Sequence, residues 1–253
     1  MRTLTLDNKM MVAGHRGDCY NCFENTMKAF ETAIAAGADM IETDVHLTKD
    51  GVLILMHDDK VDRTSNGSGY IKDMTYEELL QLNVGGKTEP AIVPTLEELL
   101  VLLTKHDVML NLEIKEYYTP GNESRCVECI EKCVEMIEKF GYHDKMVFNS
   151  FDAYVLEYLA EHYPDRYLLH GFYPYSIMTN VKRNPDEYLY CACVFSMNPA
   201  NYKYLQSKNI EPWIGAGVTI ESRLKECFDM GARLITTNFP ADCIQKLERI
   251  GAR

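Results

Sequence analysis

The sequence lacks any apolar run long enough to cross a membrane, and its first residues contain no apolar stretch of signal-peptide length. It also lacks an excess of basic residues, since 26 Lys and Arg stand against 38 Asp and Glu, for a formal net charge of -12. Such a charge disfavours strongly anionic partners. The sequence therefore predicts a cytoplasmic protein with no nucleic-acid partner and no stable membrane association, and it leaves the oligomeric state open.

The chain also lacks the cysteine pattern of a secreted disulfide framework, because its nine cysteines are an odd number spread over 253 residues. Cys19 and Cys22 form a C-x-x-C pair, but no second pair lies at zinc-finger distance. We therefore expect reduced thiols, most of them packed as small apolar groups.

Short apolar runs alternate with amphipathic stretches of helical length along the whole chain. Eight strands are predicted, at residues 11–14, 40–46, 108–115, 146–150, 167–171, 190–196, 212–215 and 233–238. Strict alternation of strands and helices indicates an α/β protein with parallel pairing, and eight such units in this length predict one (β/α)8 TIM-barrel domain over residues 1–253. The alternative is an open doubly wound sheet, but no G-x-G-x-x-G follows the first strand.

Two segments interrupt the alternation. A second apolar run at residues 52–56 follows Asp50-Gly51, and treating this pair as a two-residue hairpin turn places Asp44 opposite His57. Residues 59–93 are too long for an ordinary loop, so we interpret them as a small insertion after the second barrel strand and its hairpin. It is expected on the rim where the strands end, the catalytic face of this barrel class. A weakly marked helix is also predicted at residues 177–184.

Polar side chains cluster at the ends of the first three barrel strands. Alternate residues of a strand share a face, so Glu42 and Asp44 project together, and Glu113 projects with Lys115. Three converging carboxylates repel one another unless a cation lies between them, and oxygen ligands suit a hard ion. We therefore predict one divalent cation, Mg²⁺ or Ca²⁺, bound by Glu42, Asp44 and Glu113.

The same rim is expected to carry two histidines and two fixed positive charges. His15 and His57 suit general acid-base catalysis, and Arg16 and Lys115 suit stabilisation of a phosphate oxyanion. A lone histidine is more often structural than catalytic, but the joint arrival of these groups on one rim favours a site. Trp213 ends the seventh strand, where it either lines a substrate pocket or packs in the core.

Seven motifs in this chain resemble those of the glycerophosphodiester phosphodiesterase family. They are H-R-G from His15, E-N-T from Glu24, E-T-D-V-H-L-T-K-D-G from Glu42, M-H-D-D from Met56, D-R-T-S-N-G-S-G from Asp62, P-T-L-E-E from Pro94 and N-L-E-I-K from Asn111. The resemblance is strong from about residue 13 to residue 115 and weaker beyond. It departs at Phe23, where the family usually has proline, at residues 214–217, and at Asn238, where many members have aspartate.

The resemblance implies a barrel with a small inserted segment, a cation held by Glu42, Asp44 and Glu113, catalytic His15 and His57, and phosphate binding by Arg16 and Lys115. It further implies attack of a glycerol hydroxyl on phosphorus and opening of the cyclic phosphate by water. We thus predict metal-dependent hydrolysis of a small-molecule glycerophosphodiester to an alcohol and glycerol 3-phosphate. The alternatives are a related phosphodiesterase acting on lysophospholipids or other cyclising phosphodiesters, and a non-catalytic barrel that binds a phosphate ligand.

Overall fold

The computed structural model describes residues 4–5 and 8–253, in which nine strands form one sheet. The strands are β1 Met11–His15, β2 Met40–Leu47, β3 Leu53–Leu55, β4 Met109–Ile114, β5 Met146–Asn149, β6 Leu168–Tyr173, β7 Cys191–Val194, β8 Glu211–Ile214 and β9 Leu234–Thr237. All except β3 pair in parallel around a ring that closes through β1, which pairs with both β2 and β9. The predicted (β/α)8 barrel is therefore confirmed.

Helices occupy most connections between the barrel strands. They are α1 Met27–Ala35, α2 Tyr76–Leu79, α3 Leu96–Leu103, α4 Glu123–Phe140, α5 Ala153–His162, α6 Pro199–Ser207, α7 Glu221–Asp229 and α8 Pro240–Arg249. Local sequence sets their ends: Thr95 and Glu98 form a capping box at the start of α3, and Gly141 ends α4 in the left-handed conformation. Within the described residues, no helix combines the length and apolarity that a bilayer crossing requires.

The prediction of a helix at residues 177–184 is wrong. The described residues between β6 and β7 form only two 3₁₀ turns, Tyr175–Ile177 and Pro185–Glu187. Asn180 has a φ of 53°, a left-handed conformation that interrupts helical hydrogen bonding, and Thr179 instead pairs with Asp152. Pro185 further disfavours helical geometry at Asn184.

The hairpin between β2 and β3 forms, but its predicted register is wrong by one residue. Leu47 pairs with Leu53, and the Thr48 backbone N–H donates to the Val52 carbonyl, so the loop has three residues. Gly51 ends that loop with a φ of 80°, as three-residue hairpin loops commonly require. Met56 rather than His57 consequently lies opposite Asp44.

Residues 59–93 surround a small apolar cluster of their own. The buried side chains of the cluster come from this segment and from β3 and its continuation: Ile54, Met56, Val61, Ile71, Leu79, Val84 and Val93. Because the cluster includes residues of β3, the segment packs against the hairpin that carries His57. Its assignment as an insertion within a single domain stays a prediction.

The barrel interior is layered along its axis. Alternate residues of the strands contribute a buried apolar cluster that includes Met11, Ala13, Met40, Val147 and Leu234. Two to four residues further along β2, the same inward face carries Glu42 and Asp44. The apolar layer thus supports the barrel from within, and Glu42 and Asp44 lie beyond it toward the C-terminal end of β2.

Candidate active site

Three buried carboxylates lie at the C-terminal ends of two neighbouring strands. Glu42 and Asp44 belong to β2, and the parallel register pairs Asp44 with Glu113 of β4. Their side chains are almost fully buried, and one oxygen from each lies within 4.8 Å of the others. The strand register therefore gathers three acidic groups into a volume that suits a single ion.

The electrostatics of this acidic cluster (Glu42, Asp44 and Glu113) favour a cation. Burial, followed by the charges of Asp44 and Glu113, raises the pKa of Glu42 well above its usual value. Burial also raises the pKa of Glu113, although nearby Lys115 opposes the shift. Since the ligands are all oxygen and the cluster holds excess negative charge, these residues could hold a hard divalent ion.

Lys115 supplies part of the countercharge. Its ammonium Nζ lies 2.8 Å from Glu113 Oε1 and 3.7 Å from Asp44 Oδ1. Burial alone would lower the pKa of this lysine, but Glu113, Tyr117 and Asp44 together outweigh burial and raise the pKa, so Lys115 is charged at neutral pH. Lys115 thus lies where the sequence predicts it, beside the acidic cluster.

A tight turn after β1 aims Arg16 at the same cluster. Arg16 has a φ of 53° and Gly17 a φ of 82°, and a Cβ on Gly17 would lie 2.5 Å from the backbone of Ala29. Only glycine fits this position without moving helix α1. The turn lets the Arg16 backbone N–H donate to Glu42 Oε2 at 3.1 Å and brings Arg16 Nε to 3.5 Å from Asp44 Oδ2.

His15 lies at the end of β1 with one nitrogen facing the cluster. Its Nδ1 lies 2.5 Å from Asn238 Oδ1, and its Nε2 lies 3.9 Å from Glu42 Oε2. An amide oxygen only accepts, so Nδ1 carries the ring proton and Nε2 of the neutral ring has a lone pair. Burial, and then the charge of Arg16, lower the pKa of His15, which favours that neutral ring.

His57 lies beside Lys115 at the same cluster. Its Nδ1 lies 2.6 Å from Asp58 Oδ1, and its Nε2 lies 3.4 Å from Lys115 Nζ. Because the ionised carboxylate of Asp58 only accepts, the ring proton is on Nδ1 and Nε2 faces the site. His57 therefore lies at the site despite the one-residue shift of the hairpin, because β3 ends at Leu55 and His57 lies beyond the paired residues.

The structure does not bring Trp213 to this group. Its indole is fully buried in the barrel, 4.9 Å from the ring of His170 and 6.3 Å from that of Tyr190, measured between centroids. Its Nε1 donates to Glu211 Oε2 at the start of β8, 3.1 Å away. These contacts match core packing, the second of the two interpretations of Trp213, and its contribution to substrate binding stays a prediction.

Several residues that hydrogen-bond the predicted site residues are not singled out by the sequence alone. Asn25 donates to Asp44 Oδ2 at 3.0 Å and accepts from Thr43, and Tyr117 donates to Glu113 Oε1 at 3.2 Å. Asn25 belongs to the E-N-T motif and Asp58 to M-H-D-D, so motif membership was the available signal. No local signal marks Asn238 as a partner of His15, because 223 residues separate them.

A second buried network lies beside the site. Glu116 accepts from Arg125 Nε at 2.9 Å and from the Leu47 backbone N–H at 3.2 Å, and His46 Nδ1 lies 3.4 Å from it. The other nitrogen of His46 lies 3.3 Å from the carbonyl oxygen of His57. Burial opposes ionisation of Glu116, but His46 and Arg125 lower its pKa to about 2.

Comparison with known proteins identifies the family. The model of the glycerophosphoryl diester phosphodiesterase family matches residues 15–211. The chain belongs to this family. A glycerophosphodiester phosphodiesterase of Bacillus altitudinis is 38% identical over 222 residues, 83% of this chain and 78% of that protein. One from Caldanaerobacter subterraneus subsp. tengcongensis is 41% identical over 154 residues, 58% of this chain and 60% of its own length. The family prediction is confirmed.

Solved phosphodiesterase structures share the fold. A phosphodiesterase of Oleispira antarctica, in complex with the product sn-glycerol-3-phosphate, superposes with a TM-score of 0.81 at 21% identity, covering 94% of this chain and 96% of that one. A glycerophosphodiester phosphodiesterase of Agrobacterium tumefaciens gives a TM-score of 0.75 at 22% identity, covering 92% and 98%. At these identities the likeness supports the barrel and nothing finer.

Proposed function

We propose that the protein hydrolyses glycerophosphodiesters to an alcohol and glycerol 3-phosphate, in a reaction that requires one divalent cation. One observation carries the proposal: three buried carboxylates with oxygens within 4.8 Å of one another are flanked by two imidazoles and two cationic side chains. Family membership and the product bound in the Oleispira antarctica phosphodiesterase support the substrate class. The substrate is a small molecule.

Glu42, Asp44 and Glu113 would hold the cation, and Mg²⁺ and Ca²⁺ both suit a site of three carboxylates. When bound, the ion would supply positive charge beside the phosphate. Arg16 and Lys115 would bind the phosphoryl oxygens and stabilise the charge that develops on them. Both side chains already lie against the acidic cluster, so a phosphate entering there would meet two fixed cations.

The two histidines would move the protons. We assign the base to His15, because the lowered pKa of its ring leaves Nε2 free to accept a proton from the glycerol hydroxyl that attacks phosphorus. His57 would enter the reaction doubly protonated, with Asp58 accepting from Nδ1, and would donate the Nε2 proton to the departing alcohol. Water then opens the cyclic phosphate with the two roles reversed, which returns both rings to their starting states.

An activity assay tests the proposal. Glycerophosphocholine, glycerophosphoethanolamine and glycerophosphoglycerol are incubated with the protein, with and without a chelator. We expect release of glycerol 3-phosphate that the chelator stops and Mg²⁺ or Ca²⁺ restores. His15→Ala and His57→Ala should each lower kcat by about 10²- to 10⁴-fold while the circular dichroism spectrum is unchanged. Absence of turnover with every diester, or turnover that survives the chelator, would exclude the proposed reaction.

A second substrate class, the lysophospholipids, is favoured by the exposed apolar side chains of the rim. Tyr20 follows β1, Phe195 follows β7 and Ile220 follows β8, and all three are largely exposed. An acyl chain could contact these residues while its phosphodiester occupies the acidic cluster. Lysophosphatidylcholine in the same assay, together with co-sedimentation on liposomes, distinguishes this class from water-soluble diesters.

We further propose that the protein works in the cytoplasm, without a nucleic-acid partner or stable membrane association. All nine cysteines lie within the described residues and have free thiols, which suits a reducing compartment. The acidic net charge of -12 supports the absence of an anionic polymer as partner.

A further inference from the structure

Three of the family-like motifs, E-N-T, M-H-D-D and D-R-T-S-N-G-S-G, meet at one ion-pair network beside the acidic cluster. We propose that Arg63 is a positioning residue that holds both His57 and Arg16 in place, through Asp58 and Glu24 respectively. The proposal rests on the proposed function, because it takes His57 and Arg16 as reacting groups. Arg63 touches neither of them directly and is about half exposed.

The first arm of the network leads to His57. Arg63 donates to Asp58 from Nε at 2.7 Å and from Nη2 at 2.9 Å, and Asp58 Oδ1 lies 2.6 Å from His57 Nδ1. The guanidinium hydrogen bonds lower the pKa of Asp58, so this carboxylate stays ionised and accepts the Nδ1 proton. That contact fixes the ring so that Nε2 faces Lys115. Without Arg63, Asp58 would lose both bonds that hold it against the imidazole.

The second arm leads to Arg16. Arg63 donates to Glu24 from Nη1 at 2.8 Å and from Nη2 at 2.7 Å, and Arg16 Nη1 donates to the same carboxylate at 2.8 Å. Burial opposes ionisation of Glu24, but the hydrogen bonds and charges of Arg63 and Arg16 together outweigh it and lower the pKa. Glu24 is therefore an ionised anchor shared by two guanidinium groups, and it sets where the head of Arg16 lies.

Only arginine suits this position. Its planar fork offers five N–H donors and can bind two carboxylates bidentately, whereas a lysine ammonium is a point charge that cannot match both. The three residues come from separate segments: Glu24 follows the β1 turn, Asp58 follows β3, and Arg63 lies in residues 59–93. Residues 59–93 would thus contribute to catalysis through the single side chain of Arg63, which bonds both Glu24 and Asp58.

Chemical rescue tests the proposal, because Arg63 borders an open cavity of about 530 Å³ lined also by Phe23, Thr64 and Asn66. We expect Arg63→Ala to lower kcat by about 10- to 100-fold, the usual cost of losing a partner that orients a reacting group. Guanidinium ion, added well below denaturing concentrations, should restore part of that loss. Arg63→Lys should be impaired as well. Lys87→Ala, at the wall of the same cavity, is the matched control and should retain wild-type kcat.

Several outcomes would overturn the proposal. They are a wild-type kcat in Arg63→Ala, full activity in Arg63→Lys, and a folded Arg63→Ala whose lost activity guanidinium does not restore. A proton NMR measurement provides a readout that needs no turnover. We expect a downfield Nδ1–H resonance in the wild type that is absent from His57→Ala and is lost or shifted upfield in Arg63→Lys and Asp58→Asn. If the wild type cleaves no diester, the proposed function fails, and this resonance still decides whether Arg63 positions His57.

Discussion

The buried carboxylate of Glu116, which follows Glu113 closely in the chain, differs from the acidic cluster in how its charge is balanced. Glu116 is surrounded by donors from Arg125, His46 and the backbone, and its pKa falls to about 2. Glu42 and Glu113 are equally buried, yet burial and neighbouring carboxylates raise their pKa values. The charge of Glu116 is balanced by groups of the fold itself, whereas the acidic cluster is stabilised only when positive charge is added. Unbalanced buried charge therefore marks the site more sharply than burial alone.

Removing one carboxylate from the acidic cluster should have the largest effect on activity. Glu113→Gln loses a proposed ligand, so we expect kcat to fall at least about 100-fold, since a bound metal contributes several kcal/mol to the transition state. The same change should raise the Tm in chelator. The folded-state pKa of Glu113 is raised, so its ionisation destabilises the fold at neutral pH, and a neutral amide avoids that cost. Activity assays measure the fall in kcat, and thermal unfolding measures the rise in Tm. Wild-type turnover in Glu113→Gln would show that Glu113 is not part of the site.

Breaking the balanced network should instead destabilise the protein. Arg125→Met leaves Glu116 with an uncompensated buried charge, and we expect the free energy of unfolding to fall by about 3 kcal/mol. Urea unfolding measures it. The control is the double variant Arg125→Met with Glu116→Gln, which should recover part of the loss because the orphaned charge is gone. Equal stability of the wild type and Arg125→Met would show that this network is not the structural counterpart of the cluster.

Asn25→Ala tests the hydrogen bond that holds Asp44. Since Asn25 donates to Asp44 Oδ2, its loss should weaken cation affinity by about 10- to 100-fold. It should also lower the free energy of unfolding, because Asn25 is buried, has a φ of 53° and accepts from the buried Thr43 hydroxyl. Asn21→Ala is a matched control in the same loop, where the amide bonds Asp18 instead. Calorimetric titration with Mg²⁺ or Ca²⁺ gives both affinities, and equal values in the two variants would argue against ion binding through Asp44.

The pH dependence of cation binding further tests the difference between the acidic cluster and Glu116. The raised pKa values of Glu42 and Glu113 mean that, without the ion, these groups retain protons above pH 4.5, where an ordinary glutamate is ionised. The ion must displace those protons, so its affinity should fall as the pH falls, by at most about tenfold per pH unit for each proton displaced. Calorimetry in two buffers of different ionisation enthalpy detects the release. A binding heat independent of buffer would contradict the raised pKa values.

Much of the fold could be predicted because it follows from repeated local patterns. Alternating runs fix the eight barrel strands, and the alternation within β2 places Glu42 and Asp44 on one face. The hairpin register could not be predicted as well, because Asp50-Gly51 serves equally in a two-residue and a three-residue loop. The missing helix between β6 and β7 depends on Asn180, whose left-handed backbone reflects pairing of Thr179 with a distant segment.

The site was predictable in its strand-end residues but not in their supports. Glu42, Asp44, Glu113 and Lys115 follow from strand position. Asn238 bonds His15 only through the tertiary fold, and Arg63 reaches His57 only through Asp58. Trp213 is a different case. Its position at the end of a strand suggests a residue of the rim, but its side chain bonds Glu211 at the start of the same strand. Which end of the barrel a long side chain reaches depends on packing inside it, and sequence alternation gives only the face.

The most direct test of the account is a crystal of the protein soaked in Mn²⁺, with an anomalous difference map. We expect one peak bonded to carboxylate oxygens of Glu42, Asp44 and Glu113, and no such peak in Glu113→Gln. A map without density among these three residues, from an enzyme whose hydrolysis still requires the metal, would contradict the proposal that this unbalanced cluster is the catalytic cation site.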